Sequence, residues 1–209
     1  MKTFIVIIIM CLFSWLFVNV SNAFAQVACP KTLEEAKKDK VYREIYRHIY
    51  HFDQKEYSLE CIYWENGKLA GETPSVNDKV EGTIKRYYEN GQIESEIPYI
   101  AGKKDGIRKI YYDTGEIFLE DPYVSGKFYG VRKHYYESGK IQSEDNNLGN
   151  GQMLWTKYDE QGKVVSVVAF VNYVPIAGIC YKTNGITKVL TADKLPTYLF
   201  DKELIKLCE

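Results

Sequence analysis

Apolar and polar positions alternate in short runs through the middle of the chain, which is the pattern of half-buried β-strands. One run extends from Gly82 to Tyr88, and a second begins at Gln92, directly after the turn sequence Glu89-Asn90-Gly91. Two alternating runs separated by a short Asn/Gly-containing stretch indicate a β-hairpin. The same pattern starts again at Gly106 and at Gly130.

The hairpin pattern is a repeat with a nearly constant period. Its Tyr-x-x-x-Gly core begins at Tyr63, Tyr87, Tyr111, Tyr135 and Tyr158, and these starts are 24, 24, 24 and 23 residues apart. A weaker copy, YKTNGIT, follows at Tyr181. A fixed period of this length is typical of arrays in which each unit buries its surface against its neighbours. We therefore predict an elongated, mainly β array of stacked antiparallel hairpins.

The turn within each unit is predicted to be a three-residue loop. A two-residue type I′ turn would require a positive φ at Thr114 and at Ser138, which non-glycine residues resist. A type I turn followed by glycine in the left-handed region places that demand on the glycine alone.

This loop length sets the pairing of the two strands. The predicted pairs join each tyrosine to an aliphatic residue, and we expect them to form the buried face: Tyr63–Leu69, Tyr87–Ile93, Tyr111–Ile117, Tyr135–Ile141 and Tyr158–Val164. On the other face the same register predicts ion pairs of Arg108 with Glu120 and of Arg132 with Glu144, each worth about 0.2–1 kcal/mol. Three lysines fit this register poorly, because they fall on the buried face: Lys85, Lys109 and Lys133.

The segment YYENGQIESEIPYIAGKKDG resembles the variant MORN repeat of bacteria, in which Tyr-x-x-x-Gly hairpins end in a Gly-Lys-x-x-Gly link. The links here are GKKDG at 102–106 and GKFYG at 126–130, and the resemblance covers roughly residues 57–185. It implies an antitoxin of a toxin–antitoxin pair or, more broadly, an interaction module, since proteins of this family are often labelled in these two ways. The resemblance carries no catalytic residue over to this chain.

Helical segments are predicted to cap both ends of the array. A capping box of Thr32 and Glu35, together with an apolar stripe at Val41, Ile45, Ile49 and Phe52, predicts an N-terminal helix over residues 31–52. Glu44, His48 and His51 would share a side of that helix, at a spacing that could present three ligands to zinc. His48 also falls on the apolar stripe, so we interpret it as a packing residue. A short helix is expected near Cys208. The predicted organisation is a signal peptide, a helical cap, the repeats and a C-terminal cap, at residues 1–25, 26–56, 57–190 and 191–209.

Residues 164–179 break the alternation, because they are apolar at nearly every position. A strand of this kind needs a cover on both faces. Two covers are open: the C-terminal segment, which we favour, or another protein.

The first 25 residues predict export. Lys2 precedes an apolar run from Phe4 to Val18, and Ala23-Phe24-Ala25 suits cleavage before Gln26. Alternatives are an uncleaved membrane anchor and a lipoprotein acylated at Cys29. Loss of Lys2 changes the formal net charge from −1 to −2. The cationic residues form no block, so we expect no nucleic-acid partner. We expect a periplasmic or secreted protein that meets the membrane only during export.

Removal of the leader leaves four of the five cysteines. An even number in an exported chain predicts disulfides, and four cysteines allow three pairings. The pairing Cys29–Cys61 with Cys180–Cys208 is favoured, because it would fasten each terminal segment to the array.

The candidate functional residues form an aromatic row made of Trp64, Tyr88, Tyr112 and Tyr136. They alternate to the face opposite Tyr87 and recur once per hairpin. Because aromatic side chains are enriched at protein interfaces, we interpret the row as a binding surface for a protein in the cell envelope. The other interpretation is that these rings shield the strands. The alternative functions are those of a structural protein associated with glycan or cell wall and of an antitoxin or immunity-type protein. We expect no enzyme, cofactor or metal site, since the repeated acids Glu96, Glu120 and Glu144 suit structure better than one asymmetric catalytic site.

Overall fold

The computed structural model describes residues 28–31, 34, 45–52, 54–182, 187–195 and 201–208. Within them, sixteen strands form a single open antiparallel sheet. Thirteen of the strands follow one another along the sheet, and three two-residue strands pair at its margin. At about 4.8 Å per strand the path is roughly 60 Å long. The prediction of a mainly β array of stacked hairpins is confirmed.

The strands run in sequence order across the sheet, and one helix follows them. Their bounds are β1 Ile45–Phe52, β2 Lys55–Tyr63, β3 Leu69–Val76, β4 Lys79–Val80, β5 Gly82–Tyr87, β6 Ile93–Ile100, β7 Lys103–Lys104, β8 Gly106–Tyr111, β9 Ile117–Val124, β10 Lys127–Phe128, β11 Val131–Tyr135, β12 Ile141–Gly149, β13 Gln152–Tyr158, β14 Val164–Val171, β15 Val174–Tyr181, β16 Thr187–Thr191 and α1 Asp201–Cys208. A 3₁₀ turn, Ala192–Lys194, lies between β16 and α1.

The predicted hairpin loop is confirmed, as is the register of the strand pair next to it. In the second repeat the amide of Gly91 bonds to the carbonyl of Tyr88, and the amide of Tyr88 bonds to the carbonyl of Gln92. Gly91 has φ +95°, the left-handed conformation that glycine adopts without strain. All five predicted pairs between a tyrosine and an aliphatic residue are register partners.

The predicted ion pairs were wrong by one residue, because each second strand contains a β-bulge. Tyr111 pairs with Ile117, but Ile110 pairs with Leu119, so that Phe118 is the extra residue. The bulge places Asp121 opposite Arg108, where Glu120 was expected, and the next repeat places Asp145 opposite Arg132, where Glu144 was expected.

The same bulge explains the three lysines that fitted the predicted register poorly. Lys85, Lys109 and Lys133 each lie opposite a glutamate: Glu96, Glu120 and Glu144, respectively. The ammonium group of Lys109 is 3.8 Å from the carboxylate of Glu120. Charged side chains therefore neutralise one another on this face.

Tight two-residue turns connect each hairpin to the next. Both central residues have positive φ, at 49° and 79° for Ala101-Gly102 and at 49° and 84° for Ser125-Gly126, as in a type I′ turn. These turns lie at the edge of the ribbon opposite the Tyr-x-x-x-Gly loops.

The face of the sheet that carries Tyr87, Tyr111, Tyr135 and Tyr158 is called the ladder face below. We expected it to be buried, and this was wrong: in the middle of the array these side chains and their aliphatic partners are half-buried. Among the described residues no second layer covers the sheet there, and the shielding that these residues provide comes from neighbours in adjacent strands.

The predicted N-terminal helix is also wrong over residues 45–52. Residues 45–52 form strand β1, which pairs with β2 from Ile45–Ile62 to Phe52–Lys55. Four-residue spacing of apolar positions suited a helix, but the segment is rich in Ile, Tyr and Phe, which favour strands, and it extends the sheet by one strand. Val41 and the capping box at Thr32 and Glu35 lie outside the described residues, as does the predicted signal peptide.

A small apolar core lies at the C-terminal end of the sheet. It contains Val168, Phe170, Cys180, Leu190 and Leu204, with Trp155 packed against it. Leu204 comes from α1, so the predicted C-terminal helix is confirmed, and it covers one face of β14–β16.

Both predicted disulfides are formed, Cys29–Cys61 and Cys180–Cys208. Cys61 is two residues before Tyr63 in β2 and lies on the ladder face. Val168 and Cys180 lie on the opposite face of the sheet. The two terminal segments are therefore fastened to opposite faces of the sheet.

Candidate binding surface

The aromatic row follows the first strand of each repeat and spans from one hairpin to the next. Each member donates a hydrogen bond to a backbone carbonyl of the following repeat. The four bonds are Trp64 Nε1 to Tyr87 O (3.1 Å), Tyr88 Oη to Tyr111 O (2.6 Å), Tyr112 Oη to Tyr135 O (2.7 Å) and Tyr136 Oη to Tyr158 O (2.8 Å). The polar ends of these rings therefore join neighbouring hairpins, and their remaining surface is partly exposed.

The aromatic row lies on the face opposite the ladder face, and this opposite face is called the row face below. Phe118, the bulge residue of the third repeat, shows this by its contacts. Phe118 packs edge-on against Tyr112 with ring centroids 5.2 Å apart, and against His134 at 5.7 Å. His134 precedes Tyr135 in β11, and successive side chains of a strand point to opposite faces. The row thus lies where the alternation predicted, on the side away from Tyr135.

A cleft of about 350 Å³ opens between the first two members of the row. Trp64 and Tyr88 line it, together with Asn90 and three carboxylates: Glu89, Glu94 and Asp113. Burial raises the pKa of the Tyr88 hydroxyl, and the charges of Glu94 and Asp113 raise it further. The cleft therefore combines aromatic surface with a negative potential, which suits a cationic group.

Sequence reasoning identified the rings of this cleft but not its carboxylates. Glu94 was assigned to an ordinary strand position, whereas it is the extra residue of the bulge in its repeat. An acidic residue opens the turn in all five repeats, at Glu65, Glu89, Asp113, Glu137 and Asp159. That regular acidic position beside the aromatic row was the available signal.

On the ladder face, each tyrosine hydroxyl donates to a glutamate of the preceding hairpin. The four bonds are Tyr87 to Glu72 (3.0 Å), Tyr111 to Glu96 (2.8 Å), Tyr135 to Glu120 (2.8 Å) and Tyr158 to Glu144 (2.8 Å). Burial raises the pKa of Tyr111 and of Tyr135 to about 12, and the hydrogen bonds to Glu96 and Glu120 add to the shift. The repeated glutamates thus hold adjacent hairpins together.

Metal-ligating residues do not converge among the residues that the structure describes. No group of three His, Cys, Asp or Glu side chains in that part of the chain could hold a metal ion. The zinc-like spacing at His48 and His51 depended on a helix, and both residues lie in strand β1. Glu44 is outside the described residues.

No helix in the described ranges combines the length and apolar character that crossing a membrane requires.

Four stretches of the chain match the family model of the MORN repeat variant. They are residues 59–77, 80–101, 104–125 and 128–146. Each stretch contains one Tyr-x-x-x-Gly loop with most of its two strands, and the hairpins at Tyr158 and Tyr181 lie beyond the matches. No curated protein matches the chain significantly.

Proposed function

Because the chain contains four MORN repeat variants, we propose that it is an exported, non-enzymatic protein-interaction module of the cell envelope, with the aromatic row as its binding surface. The observation that carries this proposal is the cleft between Trp64 and Tyr88, where two partly exposed aromatic side chains stand among three carboxylates. Large, rigid aromatic side chains are the residues that most often dominate binding energy at protein interfaces.

The chemistry of the cleft favours a partner segment that presents lysine or arginine. A cationic side chain would gain from the ring faces and from the charges of Glu89, Glu94 and Asp113 together. The ring–carbonyl bonds recur in four consecutive repeats. Neighbouring bonds are about 10 Å apart, the width of two strands, so a basic segment with charges at that spacing could engage several hairpins. A neutral glycan would stack on the rings but would gain less from the carboxylates.

A binding role is favoured over catalysis by how the side chains are used. The repeated glutamates each accept a hydrogen bond from a tyrosine of the next hairpin, so the same arrangement is present four times. Catalysis depends on one asymmetric group of residues with distinct acid, base and nucleophile roles. The repeated arrangement provides mechanical coupling instead.

Export is supported by the leader-like residues 1–25 and by the two disulfides. Structural disulfides persist in oxidising compartments and are rare in a reducing cytosol.

The test is affinity capture from envelope extract of the host, with residues 26–209 as bait and identification by mass spectrometry. Two triple variants accompany it: Tyr88, Tyr112 and Tyr136 changed to Phe, which keeps the rings, and the same three changed to Ser. Circular dichroism first establishes that both variants fold. We expect one stoichiometric protein that the Phe variant retains, the Ser variant loses and high salt releases.

Capture that survives in the folded Ser variant would contradict the aromatic row as the binding surface. Retention on cell-wall material without any protein partner would replace the protein ligand by a glycan.

A further inference from the structure

The ladder face changes character at the C-terminal end of the sheet. In the middle of the array it carries glutamates and lysines, but over β15 and β16 it is apolar and open to solvent. Its exposed members are Val174 (46% exposed), Ile179 (39%), Tyr181 (40%) and Val189 (63%). Ile179 and Val189 are register partners, so these side chains form a contiguous surface, called the apolar face below.

The opposite face of the same strands is already covered. Val168, Cys180 and Leu190 have at most 1% exposure there, under α1 and the Cys180–Cys208 disulfide. We expected the apolar stretch 164–179 to need a cover on both faces, and the C-terminal segment supplies one of them. Among the described residues, nothing lies over the other.

Tyr173 marks the same place by an independent feature. It is 87% exposed and has φ +67°, at the second position of a two-residue turn. Of the four other turns of this kind, three have glycine at the equivalent position, as Gly102, Gly126 and Gly151, and the fourth has Asp78, a residue type that tolerates this conformation better than tyrosine. A tyrosine in this conformation is strained, and such strain clusters at positions where the side chain has a function. The strained turn thus presents an exposed aromatic ring beside the apolar face.

We propose that the apolar face is the contact between two copies of this chain. All its exposed members are uncharged, so it offers no charge pattern by which to select a different partner. Contacts between identical chains are the most apolar class of protein interface. Two such sheet faces can pack about 10 Å apart, as the layers of a β-sandwich do.

The position of the apolar face at the end of the array makes this contact sterically simple. A two-fold axis parallel to the strands would lay β14–β16 of one copy over those of the other. The remaining hairpins would then extend away on opposite sides, and both aromatic rows would stay accessible.

The strength of such a pairing follows from the usual size of exposed apolar patches. The largest patch on a monomer is roughly 300–600 Å². Two patches of that size facing each other would together bury roughly 600–1,200 Å², which is near the lower limit for a specific interface. We therefore expect a reversible dimer.

The experiment is sedimentation equilibrium of residues 26–209, which include every described residue, over about 1–200 µM. Two variants place a charge in the apolar face, Ile179→Lys and Val189→Lys. The matched control is Ile107→Lys, which alters an equally exposed isoleucine (51%) elsewhere in the sheet. Tyr173→Asn removes the ring while favouring the turn. Thermal melts establish that each variant is folded.

The expected result is a dimer for the unmodified chain and for Ile107→Lys, with at least a tenfold weaker association in Ile179→Lys, Val189→Lys and Tyr173→Asn. A monomer at all concentrations would overturn the proposal. So would a dimer that the folded lysine variants leave intact, because another surface would then hold the copies together. Both outcomes can be distinguished from failure of the aromatic row, which is tested by different residues.

Discussion

The carboxylate of Asp121 accepts a hydrogen bond from the guanidinium group of Arg108 across the hairpin, at 2.9 Å. Asp121 also bonds Arg132 in the next repeat, and its side chain is completely buried. Arg132 in turn approaches Asp145, at 3.8 Å. These alternating charges connect two consecutive hairpins on the row face, opposite the ladder of tyrosines and glutamates.

Removing Asp121 should therefore destabilise the array strongly. We expect Asp121→Ala to lower the free energy of unfolding by about 3 kcal/mol, because two guanidinium groups would lose their shared partner. Urea unfolding monitored by tryptophan fluorescence measures this. Asp113→Ala, at an exposed turn, is the control and should change stability by less than about 0.5 kcal/mol. Equal effects of the two substitutions would refute a structural role for the buried pair.

The tyrosines of the ladder face should make stability fall at alkaline pH. Burial and the bonds to Glu96 and Glu120 raise the pKa of Tyr111 and Tyr135 from about 10 to about 12. A raised folded-state pKa means that the contribution to stability is complete below pH 10 and is lost as the pH rises from 10 to 12.

Urea unfolding at intervals between pH 8 and 12 tests this dependence. The double variant Tyr111→Phe/Tyr135→Phe should be less stable at pH 8 but should lose less stability above pH 10. Tyr129→Phe, at a 73% exposed site, is the control and should follow the unmodified protein. Parallel curves for all three proteins would show that the ladder does not titrate as described.

One of the two-residue turns between hairpins contains a residue, Ala101, whose replacement should stabilise the protein. Ala101 has φ +49°, a conformation that asparagine tolerates better than alanine. We expect Ala101→Asn to stabilise the protein by about 0.5–1 kcal/mol, and the β-branched Ala101→Val to destabilise it. Differential scanning calorimetry should give melting temperatures in the order Asn, Ala, Val. A reversed order would mean that the left-handed conformation is not maintained in solution.

Gly106, in the link between two hairpins, packs closely against Pro98. A Cβ built on Gly106 would lie 2.8 Å from Cγ of Pro98, whereas one on Gly130 would lie 3.5 Å from Cγ of Pro122. Both glycines have positive φ, at 116° and 99°. Gly106→Ala should therefore lower the free energy of unfolding by about 1 kcal/mol more than Gly130→Ala, since it adds overpacking to the same strain. Chemical denaturation of the two variants provides the comparison.

The disulfide at the C-terminus should be important for the apolar core. Replacing Cys180 and Cys208 by serine is expected to cost about 3 kcal/mol, because a loop of 28 residues is released in the unfolded chain. Loosening of α1 should also expose Val168 and Leu190, which increased fluorescence of a hydrophobic dye would report. The Cys29/Cys61 serine variant is the comparison, since its disulfide joins a smaller cluster, and it should bind less dye.

Local features of the sequence were sufficient to predict the hairpins. The glycine of each Tyr-x-x-x-Gly loop requires a left-handed conformation, and this determines the loop length and the pairing of Tyr87 with Ile93. The placement of the cysteines near the two ends was sufficient to favour the observed disulfides. These properties depend on neighbouring residues and on chain connectivity, which the order of residues specifies directly.

Contacts between distant residues decided the rest. The bulges, which move Asp121 opposite Arg108 and bring Glu94 into the cleft, lie within the hairpins, but the alternation of apolar and polar residues did not indicate them. Residues 45–52 have apolar positions compatible with either a helix or a strand, and pairing with the free edge of β2 selected the strand. Which face of β14–β16 is covered likewise depends on where α1 packs. The helix buries Val168 and Leu190 on one face. Ile179 and Val189 stay exposed on the other face, because one short helix can cover only one face of a sheet.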